Sequence, residues 1–159
     1  MRPRPPQLSL LLDAAAPDAG SRWRDGASLD YLGGRLTLCL DTTCRDAQLD
    51  GTILHLPLPP EATPRQIQDG AEAWLRRQAE RVIGAELVMA ARRAGRPVPP
   101  HALSFAARAS WAGADGKGGL RFHWRLIEQA EPVIGQVVQL ALSELPPIVA
   151  EADLFAFAA

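Results

Sequence analysis

The side chains that could carry chemistry in this 159-residue chain are few: His55, His101, His123, Cys39, Cys44 and scattered carboxylates. His123 precedes the strand end Trp124-Arg125-Leu126, and Glu144 follows on a helix. A lone histidine on the polar side of a strand is usually solvated or hydrogen-bonded. Ser143 adjoins Glu144 but lacks a histidine in a triad-like arrangement. Cys39 and Cys44 lack the Cys-x-x-Cys spacing of a redox or zinc knuckle, and two cysteines are too few for a disulfide framework. They are expected to be inert thiols, one on a strand and one in a turn. The glycine-rich loop Gly113 to Gly119 lacks the Gly-Lys-Ser/Thr ending of a phosphate cradle and does not run into a helix. It reads as a hairpin-type connection.

Composition narrows the class. A hydrophobic fraction of 47% and a charged fraction of 22% suit a soluble globular domain. A net charge of -1 creates no field to attract nucleic acid or anionic lipid, so neither partner is expected. No apolar run approaches the ~20 residues of a membrane span. Arg2 and Arg4 precede an apolar patch at Leu8 to Leu12, but Asp13 interrupts it before any clean cleavage site. A cytoplasmic protein is expected.

Several elements must position these side chains. Residues 1–27, rich in Pro, Ala, Asp and Gly, read as a disordered or loosely packed arm whose Trp23 could dock on the body. Leu29 to Tyr31, a Leu-Gly-Gly turn and Arg35 to Leu40 predict a β-hairpin with Leu36, Leu38 and Leu40 on one face. A strand follows the Asp50-Gly51 turn at Thr52 to Leu58, and Pro57 makes it an edge or ends it. Thr63 to Ala94 predicts a long helix. Thr63 and Gln66 make a capping box, and Pro64 takes the first helical position. Ile67, Trp74, Leu75, Val82, Ile83, Leu87 and Ala90 form its apolar stripe. Arg76, Arg77, Arg81, Arg92 and Arg93 lie largely off the stripe and read as a solvated face.

Leu103 to Ala107 reads as a short strand, Ser110 to Gly119 as a loop and Leu120 to Trp124 as another strand. Pro132 opens a helix to Leu145 that is apolar almost all round, which predicts burial. Pro146-Pro147 stops it, and Ile148 to Ala159 could form a last short helix.

Tyr31-Leu32-Gly33, the segment Glu72 to Ala79 and the run from Trp111 to Leu126 make the order of elements recognisable. Over about residues 28–157 the chain resembles the YgjP-like family of zinc metallopeptidases, related to the SprT-type zincins. The resemblance implies an α+β, zincin-like domain over residues 28–159. It would have a small, mainly antiparallel sheet, a long amphipathic helix and a buried helix at the active site. The family typically shows a Trp-Gly-Ser-Cys loop and then Asn-Trp-Arg-Leu. This chain keeps Trp111, Gly118 and Trp124-Arg125-Leu126, with His123 for the asparagine.

The family's site is His-Glu-x-x-His on its last helix. Two histidines four apart bind Zn²⁺ and the glutamate deprotonates the metal-bound water. Counted without a gap, Leu140 stands at the first histidine, Ala141 at the glutamate, Glu144 at the second histidine and Ala150 at the third. Only Glu144 could ligate a metal, so no zinc cofactor and no peptidase activity are expected. The resemblance then implies a degenerate member kept as a protein- or peptide-binding or scaffold module. Trp111, His123, Trp124 and Arg125 are candidates for lining its cleft. Trp124 reads first as core, and Trp111 equally as core or lining. The alternatives are a metal-dependent hydrolase with a rearranged site, for which the family arrangement implies His123 and Glu144 as weak metal candidates, and, given the SprT relatives, a nucleic-acid-associated module.

Overall fold

The computed structural model describes residues 22–107 and 109–148. Most of the expected arm, Ala150 and nearly all of the expected last helix lie outside the described residues. The class is α+β, as the resemblance implied, but the sheets are mixed rather than mainly antiparallel. The described residues fall into two compact units. One holds residues 22–29 and Leu36–Glu72, and the other holds Asp30–Arg35, residues 73–107 and residues 109–148.

β1 (Ser28–Tyr31) and β2 (Gly34–Leu40) form the predicted hairpin. With β3 (Gln48–Asp50) and β4 (Ile53–Leu56) they make a sheet ordered β1-β2-β4-β3. β4 is thus internal, not an edge. It stops at Leu56, so Pro57 with its missing N–H falls outside the ladder. β4 runs parallel to β2, which pairs Leu38 with Leu54 and Cys39 with His55. Leu36, Leu38, Leu54 and Leu56 are buried on one face, as the alternation predicts. All three β3 residues are exposed, so no hydrophobic alternation marked that strand. Residues 22–27 are not loose. Trp23 and Ala27 are buried, Gly26 N–H donates to the Leu38 carbonyl at 2.9 Å and Leu38 N–H to that of Ala27 at 2.8 Å.

α1 spans Pro64–Arg93. The capping box forms in both directions: Gln66 N–H donates to Thr63 Oγ1 at 3.2 Å and Thr63 N–H to Gln66 Oε1 at 2.9 Å. Every residue of the predicted stripe is buried. In the first unit its opening turns lie on β4, with Leu56 and Leu58 side chains against Gly70. The helix ends on Gly95 at φ +66°, where Gly95 N–H bonds the Arg92 carbonyl and Arg96 N–H that of Ala91. These are the two bonds of a Schellman motif.

In the second unit, β5 (His101–Ser104), β6 (Ala112–Ala114) and β7 (Leu120–His123) form a sheet ordered β5-β7-β6. β5 runs parallel to β7. β6 lies inside the predicted loop, because Ala-Gly-Ala has no strand propensity and is held by its register with β7. A 3-10 helix, Trp124–Glu128, leads to α2, Glu131–Ser143. α2 is not buried all round. Ile134, Val138, Ala141 and Leu142 face inward, whereas Leu140 is 66% exposed. No helix among the described residues is long and apolar enough to cross a membrane.

The β6–β7 connection is the hairpin-type turn expected of the glycine loop. Asp115 Oδ1 accepts N–H bonds from Lys117 at 2.7 Å and Gly119 at 2.9 Å. The Lys117 bond first, then that from Gly119, holds the carboxyl below its ordinary pKa. Because the folded value is lowered, the contribution is present above the ordinary carboxylate range. It is lost as pH falls through the lowered value. Asp115→Ala is therefore expected to lower the thermal midpoint at neutral pH and to converge with the wild type in strong acid. An equal loss at both pH values, measured by melting, would show that the charge is not the cause.

Candidate functional site

The Trp124 segment is built around a buried histidine. His123 is only 5% exposed. Its Nε2 lies 2.9 Å from the Ala106 carbonyl, and its Nδ1 accepts the Arg125 N–H at 3.2 Å, capping the 3-10 helix. This pattern assigns the proton to Nε2 and occupies both ring nitrogens. Binding a metal would break one of these bonds. The outcome matches the hydrogen-bonded reading of a strand histidine.

Aromatic and charged groups close around it. Trp111 is half-buried and meets the His123 ring edge-on, with centroids 6.0 Å apart. Trp124 is buried, so its side chain belongs to the core. The Arg76 guanidinium lies 5.2 Å from the Trp124 ring centroid and 4.7 Å from that of Phe105. Arg76 thus departs from the solvated face expected of the helix arginines. Its planar cation stacks on aromatic faces. Arg125 bonds Glu128 Oε1 through Nε at 3.2 Å and through a terminal nitrogen at 3.1 Å.

On α2, Leu140 and Glu144 both face solvent, as the i, i+4 spacing requires, and Ala141 is buried between them. The Ser143 hydroxyl donates to the Leu140 carbonyl at 2.6 Å, a local bond that engages it within the helix. Leu140 does not add the apolar burial expected of it. β6, an edge strand, packs beside α2.

A second constellation lies in the first unit. Asp41, Cys44 and His55 each place one ligand-type atom within 4.8 Å of the others. The turn after β2 carries Asp41 and Cys44, and β4 carries His55. The Thr43 hydroxyl and N–H both donate to Asp41 Oδ1, and they hold its carboxyl below the ordinary value. Burial, then the hydrogen bond to Asp41, pushes the Cys44 thiol up. Sequence reading treated the cysteines only as a pair and missed this group. The available signal was Asp41-x-x-Cys44, the spacing of a zinc-knuckle pair with one cysteine replaced. The third member follows only from strand register.

A family model described as YgjP-like, metallopeptidase domain, matches residues 7–139. The match begins inside the segment read as an arm and ends one residue before Leu140. No curated protein and no solved structure matches the chain.

Proposed function

The chain belongs to the YgjP-like metallopeptidase-domain family, and on that premise we propose that it binds a protein or peptide segment without cutting it. The observation that carries this reading is the outward face of α2. This face presents Leu140, 66% exposed, and Glu144, the positions at which the resemblance would set the family's two zinc-binding histidines. These residues do not fit a catalytic zinc. A single carboxylate is one ligand of the three needed, and Ala141 has no group to take a proton from water. His123, the nearest alternative ligand by sequence, has both ring nitrogens in hydrogen bonds.

What the face can still do is bind. Among the described residues, β6 has β7 on one side only and packs beside α2. An extended peptide can add to such an edge through backbone bonds, with an apolar side chain set against Leu140. The small side chains of Ala112, Gly113 and Ala114 leave that approach unobstructed by bulk. Trp111, half-buried beside His123, offers an aromatic flank.

The test uses the full chain, an unfolded protein substrate and a peptide library. No cleavage is expected with excess Zn²⁺. Selected peptides should bind the wild type at least tenfold (about 1.4 kcal/mol) more tightly than Leu140→Asp. Cleavage abolished by a chelator and by Glu144→Gln would overturn the reading. So would binding indifferent to Leu140→Asp in a variant that melts like the wild type.

A further inference from the structure

The Asp41 turn has the makings of a metal site that is unrelated to the α2 positions. Three different donor types converge there: a carboxylate, a thiol and an imidazole. Asp41 Oδ2 is the hub. It lies 3.3 Å from His55 Nδ1 and 3.5 Å from Cys44 Sγ. A tetrahedral zinc with ordinary bond lengths sets its nitrogen and oxygen ligands about 3.3 Å apart and its sulfur and oxygen ligands about 3.5 Å apart. The two observed spacings are those two edges. The third, from Cys44 Sγ to His55 Nδ1, lies within 4.8 Å and needs only a small closing rotation.

The protein atoms do not satisfy one another fully. His55 Nδ1 is buried and makes no hydrogen bond, although Asp41 Oδ2 is 3.3 Å away. The approach is close but out of line. A buried polar atom left this way calls for a partner. A cation between the three groups supplies it, because a metal is bound along the ring lone pair and does not need the carboxylate in line with it.

The surroundings resemble those of ligating groups. The other Asp41 oxygen is held by the Thr43 N–H at 2.9 Å and by its hydroxyl, which aims Oδ2 at Cys44 and His55. Gln48 Nε2 donates to Cys44 Sγ at 3.3 Å, the bond that steadies a thiolate. Such outer partners orient ligands and tune the metal. Asp41, Cys44 and His55 are all half-buried, so a cation can enter and a water can complete the coordination.

We propose that Asp41, Cys44 and His55 bind one zinc-class divalent cation, with water in the fourth position, and clip the turn after β2 to β4. The mixed sulfur, nitrogen and oxygen donors favour zinc over magnesium or calcium, which take oxygen ligands. On binding, Cys44 gives up its S–H proton to solvent and a metal–sulfur bond forms. No electron is transferred.

The test is titration of chelator-stripped full-length chain with Co²⁺, then displacement by Zn²⁺. One equivalent of Co²⁺ should bind and give a thiolate-to-cobalt charge-transfer absorption that Zn²⁺ abolishes. Cys44→Ser should remove that absorption. Asp41→Asn and His55→Gln should each weaken binding at least about tenfold, since even outer-shell partners are worth 10–100-fold. Cys39→Ser and Glu144→Gln should bind as the wild type does. Zn²⁺ should raise the melting midpoint of the wild type and not of Cys44→Ser, with both proteins melting alike when metal-free. The proposal is overturned by failure to bind Co²⁺ stoichiometrically. It is also overturned by an absorption that survives Cys44→Ser, or by one lost in Cys39→Ser or Glu144→Gln.

Discussion

Phe122→Ala is expected to destabilise the protein by about 3–5 kcal/mol, the usual cost of emptying a buried aromatic site. Phe122 is fully buried at 0% exposure on β7, the central strand of the second unit's sheet. Its ladder partners are Leu103 on β5 and Ala112 on β6. Alanine already occupies one flank, so little side-chain volume there can refill the space. The loss is large against the 5–15 kcal/mol of stability typical of a native domain. It would also disturb His123, the next residue, and through it the cap of the 3-10 helix. Denaturant unfolding measures the effect, with Phe122→Leu as the milder companion. A loss under about 1 kcal/mol would mean that the core collapses around the site far better than packed interiors do.

Gly33→Ala should cost about 2–4 kcal/mol, from a left-handed backbone position and a steric clash acting together. Gly33 has φ +80°. A Cβ there would lie 2.9 Å from Ala130 Cβ and 3.0 Å from Ala130 Cα, and Ala130 is the N-cap residue of α2. The turn also makes two backbone bonds to the 3-10 helix. Leu32 N–H donates to the Ile127 carbonyl at 2.8 Å and Gly33 N–H to that of Glu128 at 3.0 Å. The Tyr31-Leu32-Gly33 motif is thereby explained: it braces the segment that leads into α2. Gly34→Ala is the control, because the nearest atom to its Cβ is at an ordinary 3.7 Å and its φ is not left-handed. Equal midpoints for the two variants in thermal melts would sink the argument.

The positions that the resemblance assigns to a family site, Leu140, Ala141 and Glu144, come from counting along one helix, and helical geometry puts Leu140 and Glu144 on one face whatever surrounds them. What counting could not give was the direction of that face. The apolar run Val133 to Leu145 suggested burial all round, but among the described residues the helix buries only one side, and Leu140 is left outward. The role of His123 was half legible. Its strand position was readable, yet its burial and its two partners depend on Ala106 and Arg125.

The amino-acid sequence by itself determined what short-range physics controls. It set the capping box and stripe of α1 and the hairpin with its left-handed glycine. These features depend on residues within about one or two helical turns or on strict alternation. Tertiary structure decided the parallel pairings of β2 with β4 and β5 with β7, which no local pattern encodes. It also raised Ala112 to Ala114 into a strand through its partner β7. The meeting of Asp41 and Cys44 with His55 has the same origin. A spacing of three joins the first two, but His55 arrives only because β4 pairs with β2 and sets Cys39 opposite it. Register across a sheet is a long-range choice, made by burying Leu38, Leu54 and Leu56 on one face. The residues on the other face are brought together as its consequence.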